Sequence, residues 1–285
     1  MTRGAATISD LHSFGMAAGL ERDRQQDRAD AVVRGTLALG EASYRVAYVR
    51  ELLRDRVADE IAPALEIVCA RAEQAEPRAR EWLVSLVDAL TGTDPELRAA
   101  VQRLREEAAG QSYLALERVL RAPAHIPVYG QVTDPNKVHS PDYGKGRPLT
   151  LGERKSLARR PDREMMARLL QDPHPEVIRR LLANPKLTED DVVRLAAKRP
   201  ARPDVLAEIS RTEKWMHRSR VRLAIILNPS TPPEISAPIA SLLMRQELKL
   251  VAETTAVPRV VRALCLEHLE RRPPGDFDDE DAGLH

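Results

Sequence analysis

The sequence predicts an all-α chain, an N-terminal helical bundle followed by a short α-solenoid of about three repeats. Three observations carry that prediction. Aromatic residues make up only 3% of the 285 positions while alanine, leucine and arginine abound, a mix that favours helix over sheet. Apolar residues recur at helical intervals through most of the chain. Between Thr150 and Arg272, one helical unit is written three times.

Residues 1–28 are polar and dense in charge, with E-R-D-R-Q-Q-D-R at Glu21 to Arg28, and are expected to form a flexible, frayed lead into the first helix. A helical bundle is expected over 29–121. Val46, Val49, Leu52 and Leu53 form one stripe, and Val57, Ile61, Leu65 and Val68 form the next. Trp82, Leu83, Leu86, Val87 and Leu90 follow and end at T-G-T-D-P, after which Leu97, Val101 and Leu104, then Leu114, Leu116, Val119 and Leu120, close the series. Four or five helices of this length, joined by short polar loops, make a bundle.

Residues 122–149 hold five prolines, three glycines and no helical period. They form either a linker or an extended strap, and Ile126, Val128, Tyr129, Val132 and Tyr143 favour a strap because a purely flexible linker has no need of apolar anchors. Y-G-K-G-R at Tyr143 to Arg147 lacks the strand-loop-helix context of a phosphate-binding loop.

The solenoid is expected over 150–272. Its units open on T-L-G-E at Thr150, T-E-D-D at Thr188 and T-P-P-E at Thr231, each a hydroxyl with a carboxylate three residues on. That is the spacing of a capping box, in which the hydroxyl serves an orphan backbone N–H and the acid sits at the positive helix end. The second and third boxes follow L-A-N-P-K-L-T and I-L-N-P-S-T, whose prolines stop the preceding helix. The boxes lie 38 and 43 residues apart, a period suited to two- or three-helix repeats. Each unit carries short runs of paired apolar residues, such as Val177, Ile178, Leu181 and Leu182, matched by Val260, Val261, Leu264 and Cys265. A short helix cannot bury so broad a stripe alone, so the units are expected to stack. Residues 273–285, with D-F-D-D-E-D after P-P-G, are expected to be a solvated acidic tail.

The N-P-x-[LT]-[TP]-x-[DE] junctions and the V-R runs in the last helices resemble the leucine-rich repeat variant and the HEAT/armadillo-type α-solenoids of bacteria, over residues 150–272. The resemblance implies a protein-interaction scaffold. Leucine-rich repeat variant proteins carry an iron–sulfur cluster in a separate cysteine-rich segment. This chain has only Cys69 and Cys265, too few for the usual four thiolates, so no cofactor is expected.

Charge is uneven beneath a net +1. Residues 1–144 hold 18 Lys and Arg against 22 Asp and Glu, residues 145–275 hold 26 against 16, and the last ten residues hold five acids and no base. Two distant cysteines suit a reducing cytosol. With no apolar leader and no run of 18 apolar residues, neither a signal peptide nor a membrane span is expected, and the chain reads as cytoplasmic.

The most specific local candidate is a helix expected to begin near Lys214. There Lys214, Arg218 and Arg222 would form one cationic stripe at i, i+4 and i+8, beside Trp215. These four residues are the candidate surface for an acidic partner protein or for a phosphate-rich ligand such as nucleic acid. Trp215 reads equally as core, with the arginines solvated or paired within the chain. The basic region also resembles the HEAT-like alkylpurine DNA glycosylases, which use a tryptophan-lined cleft and a catalytic aspartate. Trp82 and Asp88 in W-L-V-S-L-V-D are the nearest match, but their spacing is wider than the tight arrangement of that family. The seven histidines are scattered without metal-ligand spacing, and no catalytic constellation stands out. The expected function is therefore a non-catalytic scaffold or adaptor, with binding of a phosphate-rich ligand as the alternative.

Overall fold

The computed structural model describes residues 8–91, 94–121, 140–160 and 162–272, with side chains from Gly19 onward. Sixteen helices and no strand occur among the described residues. The first six are α1 (Ile8–Leu37), α2 (Ala42–Asp55), α3 (Ala58–Glu73), α4 (Pro77–Leu90), α5 (Pro95–Gln111) and α6 (Leu114–Leu120). They enclose one core around α3, which packs on α1, α4, α5 and α6 and buries Ala62, Leu65, Val68 and Cys69 completely.

Local chemistry explains where these helices start. Pro77 and Pro95 open α4 and α5, where a missing N–H costs nothing. Asp94 caps α5 by accepting from the Leu97 N–H at 3.1 Å, and the Glu66 carboxylate accepts from the N–H groups of Ala115 and Leu116 at the start of α6. Buried Arg118 and Glu73 form a two-pronged pair at 2.7 and 2.6 Å, so each desolvated charge has its partner. Six helices are described where four or five were expected, and α1 as described begins at Ile8, within the stretch expected to fray. Polar side chains one turn apart, such as Gln25 donating to Glu21 at 2.7 Å, support the exposed part of this helix ahead of buried Ala29 and Val33.

The remaining helices are α7 (Leu151–Leu157), α8 (Arg163–Leu169), α9 (Pro175–Leu182), α10 (Glu189–Ala197), α11 (Pro203–Ser210), α12 (Glu213–Met216), α13 (Ser219–Ile226), α14 (Pro233–Leu242), α15 (Arg245–Glu253) and α16 (Arg259–Arg271). Most of their buried apolar residues share one core, from Tyr143 to Cys265. The asparagines of the two N-P junctions do the same work 44 residues apart. Asn184 donates to the carbonyls of Ala158 and Arg160 beyond α7, and Asn228 donates to those of Ala196 and Lys198 at the end of α10. Each also accepts from the N–H two residues on, Lys186 or Ser230. One side chain thus ties the end of a unit to the end of its first helix and satisfies carbonyls that the helix leaves orphaned.

Two capping boxes form as the spacing predicts, Thr150 with Glu153 and Thr188 with Asp191. The third does not. Helix α14 starts at Pro233 with Pro232 at the N-cap, and the proline ring has no oxygen to accept from the first-turn N–H groups. Thr231 instead donates back to the Ile225 carbonyl at 2.5 Å.

Of the segment 122–149, residues 122–139 lie outside the described residues, as do Ile126, Val128, Tyr129 and Val132 and the acidic tail 273–285. Tyr143 is buried, and its hydroxyl bonds to Asp172, which also receives Arg154 and the His174 N–H. Gly144 and Gly146 turn the chain with φ near +69° and +67°, a conformation that costs glycine little.

The two sets of helices meet. Leu242 of α14 lies in the core of the N-terminal bundle, Arg80 donates to its carbonyl at 3.2 Å, and Arg121 forks onto Glu267 at 2.6 and 3.1 Å.

Candidate functional site

The predicted stripe at Lys214, Arg218 and Arg222 does not exist as one helix face. The helix breaks at His217 and Arg218, the latter in extended conformation. Trp215 is 2% exposed, and its indole N–H donates to the Leu182 carbonyl at the end of α9 at 2.9 Å. Buried Arg222 donates to the Met216 carbonyl, the orphan that the break creates, at 2.7 Å. Both residues therefore close helix ends, and neither faces a ligand at the surface. Lys214 stays exposed with its ammonium 4.3 Å from the Trp215 ring centre, and exposed Arg218 lies 3.9 Å from Glu189.

Closing helix ends is a general use of arginine here. Arg105 donates to the Leu120 carbonyl, Arg199 to that of Leu227, and Arg245 to those of Leu269 and Arg272. The guanidinium reaches over the last turn and supplies donors to carbonyls without intrahelical partners.

The exposed cations are organised differently. Asp191 receives Arg163 of α8 at 2.8 Å and Arg194 of its own helix at 3.0 Å. Glu208 receives Arg179 of α9 at 2.7 Å and Arg211 at 3.2 Å. Both carboxylates are buried, with side-chain exposures of 3% and 6%, while all four arginines reach solvent. Burial pushes the Asp191 carboxyl up, but the Arg163 guanidinium and the Thr188 hydroxyl outweigh it and hold the group well below the usual carboxylate range. Each acid thus fixes two guanidinium groups and leaves a net positive charge facing water.

Between the two sets of helices lies a polar cluster. Asp88 of α4 is 3% exposed, and neither of its carboxyl oxygens takes a hydrogen bond. His217 Nε2 lies 3.5 Å away. Burial, reinforced by Glu213, pushes Asp88 up to about 8 against the pull of Arg222 and Arg50. Burial likewise pushes His217 down, helped by Arg222, Arg45 and Arg218. The two face each other as a neutral acid and a neutral imidazole rather than as an ion pair.

No protein family, curated protein or solved structure matches the chain. What the arrangement can do is therefore argued from its own chemistry.

Trp82, paired with Asp88 in the glycosylase comparison, is fully buried and donates to the Thr36 hydroxyl at 3.1 Å, so it lines no cleft. Among the described residues, no three His, Cys, Asp or Glu side chains are grouped to hold a metal ion. Cys69 and Cys265 are both buried and free. The features that sequence reasoning missed are the two acids that each clamp two arginines, and the Asp88 cluster. Asp191 was visible as the acid of a capping box, and Asp88 as a lone acid inside an apolar run. Arg194 and Arg211 lie three residues from their acids, but Arg163, Arg179 and the groups around Asp88 lie 28 residues away or more and carried no local signal.

Proposed function

We propose that the chain is a non-catalytic interaction protein of the helical-repeat kind, a scaffold or adaptor that presents fixed guanidinium groups to an acidic surface of another protein. The observation that carries this reading is the pair of buried carboxylates, Asp191 and Glu208, each holding two exposed arginines. A guanidinium already clamped loses less freedom on binding than a free side chain, so its charge is available for orientation and specificity. The repeated Asn184 and Asn228 junctions support stacked solenoid units, as the leucine-rich repeat variant and HEAT/armadillo resemblance implies. No described helix is long and apolar enough to cross a membrane.

The test is capture on the immobilised full-length chain from the cells that make it, after nuclease treatment and at about 0.15 M salt, where the Debye length is about 8 Å. The expected result is a saturable protein partner, released by higher salt and lost from the R179A/R211A or R163A/R194A variants. Retention of nothing saturable contradicts the reading. Loss of all bound material on nuclease treatment transfers the same arginines to a phosphate-rich ligand.

A further inference from the structure

Two clefts occupy equivalent places in successive units. The first lies between α8 and α10, has a volume of about 360 Å³, and is lined by α8, α10 and the residues that follow each of them. The second lies between α11 and α14 and is about 170 Å³. Five positions of their walls correspond. Ala167, Leu170 and Gln171 match Ala207, Ser210 and Arg211, each 40 residues on, and Asp191 and Leu195 match Glu234 and Pro238, each 43 residues on.

The second cleft has a further wall. Val87, Leu90 and Thr91 of the N-terminal bundle close it from outside, placing one face of the end of α4, at i, i+3 and i+4, over the seam between units. The molecule thus shows what such a seam accepts, which is the apolar face of a helix. At the first seam the described lining includes no such helix.

The rim of the open cleft also differs in charge. Arg163, Arg194 and Lys198 stand around it against the single carboxylate of Asp191. Asp191 already holds both arginines, and Lys198 bonds only to the neutral Gln171 amide at 2.8 Å. The floor offers Leu170 and Leu195. An apolar floor within a rim of excess positive charge calls for an apolar stripe flanked by carboxylates.

We propose that the cleft between α8 and α10 is the docking site for an acidic amphipathic helix of a partner protein. The helix presents two apolar side chains one turn apart to Leu170 and Leu195, and carboxylates on the flanking turns to Arg163, Arg194 and Lys198. The proposal rests on the interaction reading above and gives it a site and a partner chemistry.

The experiment uses the full-length chain and a fluorescein-labelled, helix-forming peptide of about 18 residues, five turns of helix, with the Val-x-x-Leu spacing of α4 and flanking glutamates. Anisotropy is expected to show saturable binding that falls at least ~10-fold, or about 1.4 kcal/mol, in R194E/K198E. It should fall similarly when the peptide's glutamates become glutamines, and stay unchanged in K249E/R259E, which carries the same charge change on α15 and α16. Should R194E/K198E fold poorly by circular dichroism, R194Q/K198Q replaces it with the same ranking expected. No saturable binding, or equal loss in both charge-reversed variants, overturns the cleft. Binding that appears only after residues 276–285 are removed assigns the cleft to the chain's own tail, and a dimer abolished by R194E/K198E assigns it to a second copy; either result overturns the partner assignment. If the peptide fails while R179A/R211A still loses a captured protein, the cleft falls and the scaffold reading stands.

Discussion

Asp88 makes the interface between the N-terminal bundle and the repeat helices a place where stability depends on pH. Its carboxyl is pushed from an ordinary 3.8 up to about 8 by burial, with Glu213 adding repulsion. The folded state therefore keeps a proton that the unfolded chain gives up, and the stability tied to Asp88 is full below about pH 4 and lost as pH rises toward 8. At 1.36 kcal/mol per pH unit, the loss between pH 5 and 8 is about 4 kcal/mol, a large share of a typical domain's 5–15 kcal/mol. The facing groups are all named by the geometry: Arg50 from α2, Glu213 and His217 from α12 and its end, and Arg222 from α13.

The Asp88→Asn variant keeps the shape and removes the proton. Urea denaturation of both proteins from pH 5 to 8 cancels every other titrating group, because those are common to the pair. The difference should grow by about 4 kcal/mol in favour of the variant between pH 5 and 8, with equality approached only below about pH 4. A difference that stays flat would refute the reasoning. So would a variant destabilised at every pH, because it would mean that Arg222 and Arg50 hold Asp88 ionised as a true ion-pair partner.

His268 sets the acid limb. Burial, with Arg272 and Arg118 nearby, pushes its imidazole down to about 4 from 6.5, so stability is lost as pH falls through that window, by about 3 kcal/mol, and His268→Gln should flatten the loss in denaturation curves measured from pH 7 to 4. The junction asparagines offer a test of equivalence. Asn184→Ala and Asn228→Ala each strand two carbonyls, at roughly 1–3 kcal/mol per buried group, and similar drops in urea midpoint are expected; a cost at one and none at the other would break the equivalence.

What the sequence disclosed was what is local. Capping boxes at Thr150 and Thr188, proline starts, and N-P stops act within a few residues, so their structure follows from their spelling. The failures share one cause, which is that the deciding partner is distant. Trp215 caps a carbonyl 33 residues earlier, Arg163 finds Asp191 28 residues later, and Arg179 finds Glu208 29 residues later. The break at His217 is closed from nearer by, where buried Arg222, six residues on, donates to the orphaned Met216 carbonyl. The lone acid in W-L-V-S-L-V-D was legible as an oddity, yet its proton depends on α12 and α13, more than a hundred residues away. Thr231 fails to cap for a local reason, because the helix begins at Pro233 and puts Pro232, which has no side-chain oxygen, at the N-cap.

The distribution of arginine partners also changes what the basic composition means. An excess of 26 bases over 16 acids in residues 145–275 suggests a broad positive field, suited to a polyanion. Yet Arg199, Arg222, Arg245 and Arg272 serve carbonyls at helix ends, and Arg154 is buried against Asp172. Of these, Arg154, Arg222 and Arg272 are buried and keep their charge but cannot reach a phosphate at hydrogen-bond distance, whereas Arg199 stays exposed. Many other cations, Arg159, Arg180, Lys186, Lys214 and Arg218 among them, are exposed, and the proposed site uses only those clamped at Asp191 and Glu208 and along the rim of the α8–α10 cleft. Binding through so small a set releases few counterions, so its salt slope should be shallow compared with the slope of roughly 0.9 per phosphate contact that a nucleic-acid surface shows. Shallow salt dependence with strict dependence on Arg194 and Lys198 is the signature of a shaped protein site, and a steep slope insensitive to those two residues is the signature of a diffuse one.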